Sequence, residues 1–181
     1  MTITFAIAPQ SLHRLRLRLL AAGPGMAADI LEEAGFASGE QLAASWRARI
    51  EERTGIDDAG RLDAAWFGPL FDEMCRGLGW GTIAVVPVGG RALLFSSADW
   101  AEAQPGSGDQ PSCYFTCGCL AAFLSNQAGA SLGVGEVECR SKGDRQCRFL
   151  AGSAETLATV YDLITAGGGW RNAFGTADLP G

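Results

Sequence analysis

Apolar residues recur at helical spacing over the first 80 positions and in short β-rich runs from Trp80 onward. In SGEQLAASWRARIEERTG, Leu42, Trp46 and Ile50 fall four residues apart, with Ser38 placed as N-cap, Gln41 at the capping-box position and Gly55 at the end. A shorter helix, Met26 to Ala34, is expected to stop at Gly35, whose missing side chain suits a left-handed cap. LDAAWFGPLFDEMCRGLG predicts a third, with Trp66, Leu70, Met74 and Leu78 on one side and a kink at Pro69. GTIAVVPV and RALLFSS read as adjacent antiparallel strands, since Gly89-Gly90 between them supplies the positive φ angles of a two-residue turn.

The polar run from Ala101 to Ser112 reads as a surface loop without structure of its own. CYFTCGCLAAFLSNQAG follows as a helix that begins at Pro111 or Ser112 and stops at Gly129. GVGEVECRSKGDRQCRFLAG predicts a second hairpin, and with Gly143 at its turn Cys139 and Cys147 lie opposite each other. Ser153 caps a last helix with Leu157, Val160 and Leu163 inward, and a flexible tail is expected over residues 170–181. This order implies one α+β domain over residues 1–181, an antiparallel sheet backed by helices.

Composition narrows the chemistry. With 48% hydrophobic and 19% charged residues among 181, the chain has the material for a packed core and is not of the disordered class. A net charge of −6 argues against a nucleic-acid surface, which needs clustered Lys and Arg, and the basic run His13 to Arg18 alternates with Leu as an element's solvated side does. No stretch of about 18 apolar residues predicts a membrane span, and no signal peptide is evident, so a cytoplasmic setting with reduced cysteines is expected.

Five of the six cysteines, Cys113, Cys117, Cys119, Cys139 and Cys147, nonetheless crowd into 35 positions. Cys139 and Cys147 could supply two metal ligands, a carboxylate another, and Cys113 a further one, because a helix start stabilises a thiolate. Spacing alone leaves metal, reduced thiols and a disulfide open.

From Cys113 to the segment GEVECRSKGDRQCRF the chain resembles the 4-vinyl-reductase domain family of bacteriochlorophyll-biosynthesis proteins and of the sensor half of phenol- and xylene-responsive activators. Sensor members hold zinc with a cysteine, a glutamate 23 positions on, a cysteine three further and a cysteine eight further; the resemblance places these ligands at Cys113, Glu136, Cys139 and Cys147 without a gap. Regular strand alternation would point Glu136 and Cys139 to opposite faces, so a bulge or twisted strand end is required, and Glu138 is the fallback ligand.

The family also implies a hydrophobic pocket between sheet and helices, walled by the zinc-fastened hairpin. Candidate lining residues are Trp66, Phe67, Phe71, Trp80, Ile83, Val85, Leu93, Phe95, Phe115, Phe123 and Val134. The phenol sensors' tyrosine position falls on Val134, and the only histidine, His13, lies far upstream, which disfavours a phenol ligand; no output domain is seen either. Free-standing members imply instead an apolar tetrapyrrole intermediate, carried for or presented to an enzyme of bacteriochlorophyll biosynthesis.

Two alternatives stand beside that reading. One is an NADPH-dependent vinyl reductase, whose best cofactor hook is Gly23-Pro-Gly25-Met-Ala-Ala28 after LRLRLLA as a possible strand; a helix–helix or strand–helix turn explains it better, because the rest of the βαβ unit is missing. The other is a ligand-free interaction subunit, and a homodimer through the N-terminal helices suits both it and the binding reading. No nucleophilic triad, flavin or iron–sulfur pattern is present, and Cys75, Cys117 and Cys119 have no assigned role beyond packing.

Overall fold

The computed structural model describes residues 8–57 and 62–175. Helices α1 (Pro9–Ala22), α2 (Pro24–Thr54) and α3 (Ala64–Gly77) precede strands β1 (Ala84–Val88) and β2 (Ala92–Ser97). Helix α4 (Tyr114–Ala128), β3 (Gly133–Glu138), β4 (Cys147–Gly152) and α5 (Ala154–Thr165) follow, with short 3-10 turns at Arg140–Lys142 and Trp170–Ala173. The sheet order is β1-β2-β4-β3, every pair antiparallel.

Both faces of the sheet are covered. Phe95, Phe149 and Ala151 pack against Trp46 and Ile50 of α2, Phe71 of α3 and Phe123 of α4. Their neighbours Leu94 and Leu150 point the other way, to Val160 of α5 and to Trp170. The β1–β2 turn has Gly89 and Gly90 at φ 56° and 64°, as the sequence predicts.

Helix α2 corrects the expectation of two helices. Gly35 does not stop it and Ser38 does not cap a new one; the Ser38 hydroxyl donates back to the Ala34 carbonyl at 2.9 Å. Gly35 and Gly39 are buried mid-helix because α4 crosses there. A Cβ on Gly35 would strike the Phe115 carbonyl oxygen, one on Gly39 the Cys119 carbonyl oxygen, and one on Gly118 of α4 the Glu32 carbonyl oxygen. Interior glycines weaken a helix by about 1 kcal/mol each, and here they permit backbone contact between α2 and α4.

LRLRLLA is also helical, within α1, so Gly23 joins two helices, Gly25 to Ala28 lie in the first turn of α2, and among the described residues no strand precedes them. On α3, capped by Asp63, the buried stripe is Leu70, Phe71, Met74 and Cys75, with Phe67 partly buried against it. Trp66 and Leu78 are 59% and 41% exposed, because the stripe follows both three- and four-residue steps and those two lie off it.

The segment from Ala101 to Ser112 is a loop of turns exposed at 104–106 and 108–110, as the sequence predicts, but it is anchored in the interior at its ends. Glu102, Ala103 and Ser112 are buried, as is Trp100 just before it. Nor does the chain fray at residue 170: Trp170 is buried and its indole donates to Glu138 Oε1 at 3.0 Å, while the rest of the expected tail, 176–181, lies outside the described residues.

The α2–α4 contact yields a test. Gly35→Ala is expected to destabilise the fold by about 1–3 kcal/mol through overpacking, measured by urea unfolding. Gly25→Ala, which meets nothing within 4 Å, should change it by less than about 1 kcal/mol.

Candidate metal centre

Four donors converge where α4 begins. Cys113 is the N-cap residue of α4, Glu136 lies on β3, Cys139 leaves β3, and Cys147 opens β4. Their ligand atoms all lie within 4.8 Å of one another, and Cys113 Sγ is 3.9 Å from Cys139 Sγ. All six cysteines are free and buried.

The strand irregularity that the ligand set demanded is present. Glu136 pairs with Phe149 but Glu138 pairs with Arg148, so the register slips by one residue at Val137. Val137 and Glu138 both serve the α5 side, where Val137 packs near Val160 and Glu138 accepts from Arg148, Arg171 and Trp170. Cys139 thereby returns to the face of Glu136, and the fallback ligand Glu138 is occupied on the opposite face.

Backbone groups hold Glu136 in place. Its Oε2 accepts from the Ser112 and Cys113 amides at 3.0 and 2.9 Å, while Oε1 is buried without a hydrogen-bond partner. A buried carboxylate oxygen left unbonded is costly, and a cation beside it removes that cost. The Cys139 amide donates to Asp144 Oδ2 at 2.8 Å and the Asp144 amide to the Cys139 carbonyl, closing the turn between the last two donors.

Left to themselves the four groups cannot all ionise. Cys113 is pushed well above the ordinary thiol value, first by its hydrogen bonds to Cys139 and Cys147 and then by burial. This outweighs the helix-start effect expected from the sequence. Cys139, which receives those bonds, is held far below the ordinary value. For Cys147 the bond from Cys113 pulls down, but the bond to Cys139 and burial push the thiol up overall. Burial raises Glu136 to about 8. A divalent ion at the centre would let all four carry charge together.

The eleven proposed lining residues do not share one cavity. Ten belong to or pack against a single core cluster in which Phe67, Phe71 and Phe123 stack at centroid distances of 5.1–6.3 Å, and Trp66 lies outside it. Trp80 and Phe115 line a small cavity of about 40 Å³ with Leu12, Trp100, Glu102 and Leu120. Val134 lies at the edge of an open cleft of about 680 Å³ between α2, α4 and β3, and Trp66 lines a groove of about 510 Å³. His13, distant in sequence, reaches the small cavity's wall, its Nε2 2.7 Å from the Ala101 carbonyl oxygen.

Two polar residues near the centre escaped the sequence reading. Arg16 is 1% exposed, and Glu102 accepts from the Phe115 and Thr116 amides at the first turn of α4. The Gly-, Pro- and Ser-rich surroundings of Glu102 advertised solvent exposure, and Arg16 shares its alternating pattern with the exposed Arg14 and Arg18. Neither has a local signal.

Burial pushes the Glu102 carboxyl up from 4.5 to about 7, against the downward pull of its Thr116 hydrogen bonds. The folded state thus holds this proton more tightly than the unfolded chain. Its contribution to stability is complete below pH 4.5 and is lost as pH rises through about 7. Glu102→Gln is expected to gain on the wild type by on the order of 3 kcal/mol between about pH 5 and about pH 8, read from urea unfolding at both; parallel pH profiles would refute it.

Comparison with known proteins places these observations. No curated protein matches the sequence significantly. Among solved structures, the phenol-responsive sensory domain of the transcription activator PoxR, with phenol, is similar at 18% identity and a TM-score of 0.65, over 84% of this chain and 77% of that one. A trafficking protein particle complex subunit 3 from Naegleria fowleri, covalently bound to palmitic acid, is similar at 13% identity and 0.51, over 80% and 96%. A vinyl-4-reductase family protein from Methanocaldococcus jannaschii aligns at 18% identity and 0.49, over 82% of each chain. The family model of the 4-vinyl-reductase domain matches residues 99–153. The matched segment is the one whose cysteine hairpin resembled this family, and it contains all four donors.

Proposed function

We propose that the chain is a small-molecule-binding domain in which zinc, held by Cys113, Glu136, Cys139 and Cys147, fastens α4 to the β3–β4 hairpin. The observation that carries this reading is the convergence of four donors within 4.8 Å, one of them a buried carboxylate oxygen without a partner. Zinc–sulfur bonds of about 2.3 Å in a tetrahedron put sulfurs about 3.8 Å apart, and Cys113 and Cys139 stand at 3.9 Å. Three thiolates suit zinc and disfavour calcium or magnesium. Four protein ligands leave no open position, so the ion supplies folding energy and wall rigidity, with no chemistry of its own.

Phenol in the PoxR domain and palmitic acid in the Naegleria subunit support an apolar ligand on this fold. The small cavity of about 40 Å³ is too small for either, whereas the open cleft of about 680 Å³ falls in the range of small-molecule sites. One wall, Gly118, Ala121, Gly133 and Val134 with Phe36, is an apolar surface suited to the face of a planar ring, and Asp29, Glu32, Glu33 and Glu40 line the rest, favouring a ligand with polar or cationic edges. A tetrapyrrole intermediate, held for an enzyme of bacteriochlorophyll biosynthesis, is the ligand this reading favours. The reductase alternative loses its best sequence hook, since Gly23 joins two helices and a helix, α1, leads into it. The interaction-subunit alternative draws support from the filled aromatic core.

Native mass spectrometry and metal analysis of protein from its own host test the proposal. One zinc per chain and a bound organic mass are expected, with zinc lost in Cys147→Ser and Glu136→Gln. Protein without zinc whose fold is indifferent to chelators overturns the metal centre. Zinc without any organic ligand, and no binding of added porphyrin, turns the assignment to an interaction subunit.

A further inference from the structure

Two guanidinium groups are buried among the described residues, and they are treated very differently. Arg148 is paired with Glu138 at 3.1 Å. Arg16 meets only neutral oxygens: Nη1 donates to the Ser112 hydroxyl and carbonyl at 2.6 and 3.2 Å, and Nη2 to the Ser107 and Ser141 hydroxyls, each at 3.3 Å. Its Nε is buried without a partner. A buried cation whose hydrogen-bond partners are all neutral is disfavoured, so its retention calls for a negative field.

The serines show where that field arises. Ser112 precedes Cys113 and donates its amide to Glu136. Ser141 lies in the turn between Cys139 and Cys147, and the Gln104 amide donates to its hydroxyl at 3.1 Å. The amides of Gly106 and Gly108 donate to the carbonyls of Arg140 and Ser141, joining the loop to the same turn. Three thiolates and a carboxylate around a divalent ion leave a net charge of −2 at that place. Glu102 is the competing source of negative charge: Arg16 lies close enough to pull its carboxyl down, but burial outweighs that pull and no hydrogen bond joins the two.

We propose that Arg16 is the counter-charge of the metal centre, positioned through Ser112 and Ser141, so that metal binding and the docking of α1 reinforce each other. This rests on the zinc reading above. Coupling of this kind is reciprocal: what α1 adds to zinc affinity, zinc adds to the docking of α1. Arg16 touches none of the donors directly and acts as a positioning residue.

The experiment measures zinc affinity of the full chain by competition with a chromophoric chelator, for wild type, Arg16→Gln and Arg16→Lys, together with amide exchange over residues 9–22 in the zinc-loaded proteins. Arg16→Gln is expected to weaken zinc binding about 10–100-fold, the range for outer partners of metal ligands, and Arg16→Lys to recover most of the loss by restoring charge. Exchange in α1 should quicken in zinc-loaded Arg16→Gln while β2 and β4 keep their protection. Wild type that binds zinc while Arg16→Gln binds it within about twofold overturns the proposal. So does Arg16→Lys as weak as Arg16→Gln, because a shape role would need the guanidinium fork that lysine lacks. Should Arg16→Gln not fold, wild type stripped of zinc in steps decides: α1 losing protection before β2 and β4 supports the coupling, and α1 keeping pace with them overturns it. A wild type that never holds zinc fails the metal centre itself, a result separate from these.

Discussion

One extra residue in a strand holds the donor cluster together. With regular alternation, Glu136 and Cys139 would face opposite sides of β3, and the cluster would have three donors at most on the α4 side. The slip at Val137 sends two consecutive side chains toward α5 and brings Cys139 back to the helical face. Both displaced positions are used: Val137 joins the second core cluster, and Glu138 accepts from Arg148, Arg171 and Trp170. The local loss of ladder pairing is thus matched by packing and ion pairing on one face and by the donor cluster on the other.

The start of α4 needs an equally firm anchor, and the crossing with α2 provides it. Where Gly35, Gly39 and Gly118 lie, backbone meets backbone, with carbonyls of one helix against the bare Cα of the other. A helix held this closely has little freedom to slide, so the Cys113 and Ser112 amides stay within reach of Glu136. Cys117 and Cys119, buried on the same helix, are compatible with a packing role beside such a crossing.

Around the donors, polar groups are joined in a chain rather than left to solvent. The segment before α4 bonds to the turn between Cys139 and Cys147 through Gly106, Gly108 and Gln104, and it places Glu102 under the first amides of α4. A stretch rich in Gly, Pro and Ser, exposed along its middle, is therefore tied to the hairpin through its backbone. Its low side-chain volume lets the backbone lie close to the hairpin, where its amides find acceptors that water would otherwise supply.

The sequence by itself determined the elements with a local cause: the glycine turn of the first hairpin, the Gly129 stop of α4, the Ser153 cap of α5, and, through family resemblance, the four donors at their spacing. These follow from backbone conformations and hydrogen bonds made within a few residues, or from a ligand pattern carried along one short segment. Only the tertiary structure decided the rest. Gly35 could be a helix stop or a helix contact, and the approach of α4 chose the contact. Arg14, Arg16 and Arg18 are alike in pattern, yet only Arg16 is buried, because only its position on α1 faces the serines of two distant segments. Trp66 and Phe67 are adjacent aromatics, and the side of α3 that meets the core left one in water and put the other against the core. Burial is a property of what other segments bring to a residue, and no window of neighbours along the chain contains it.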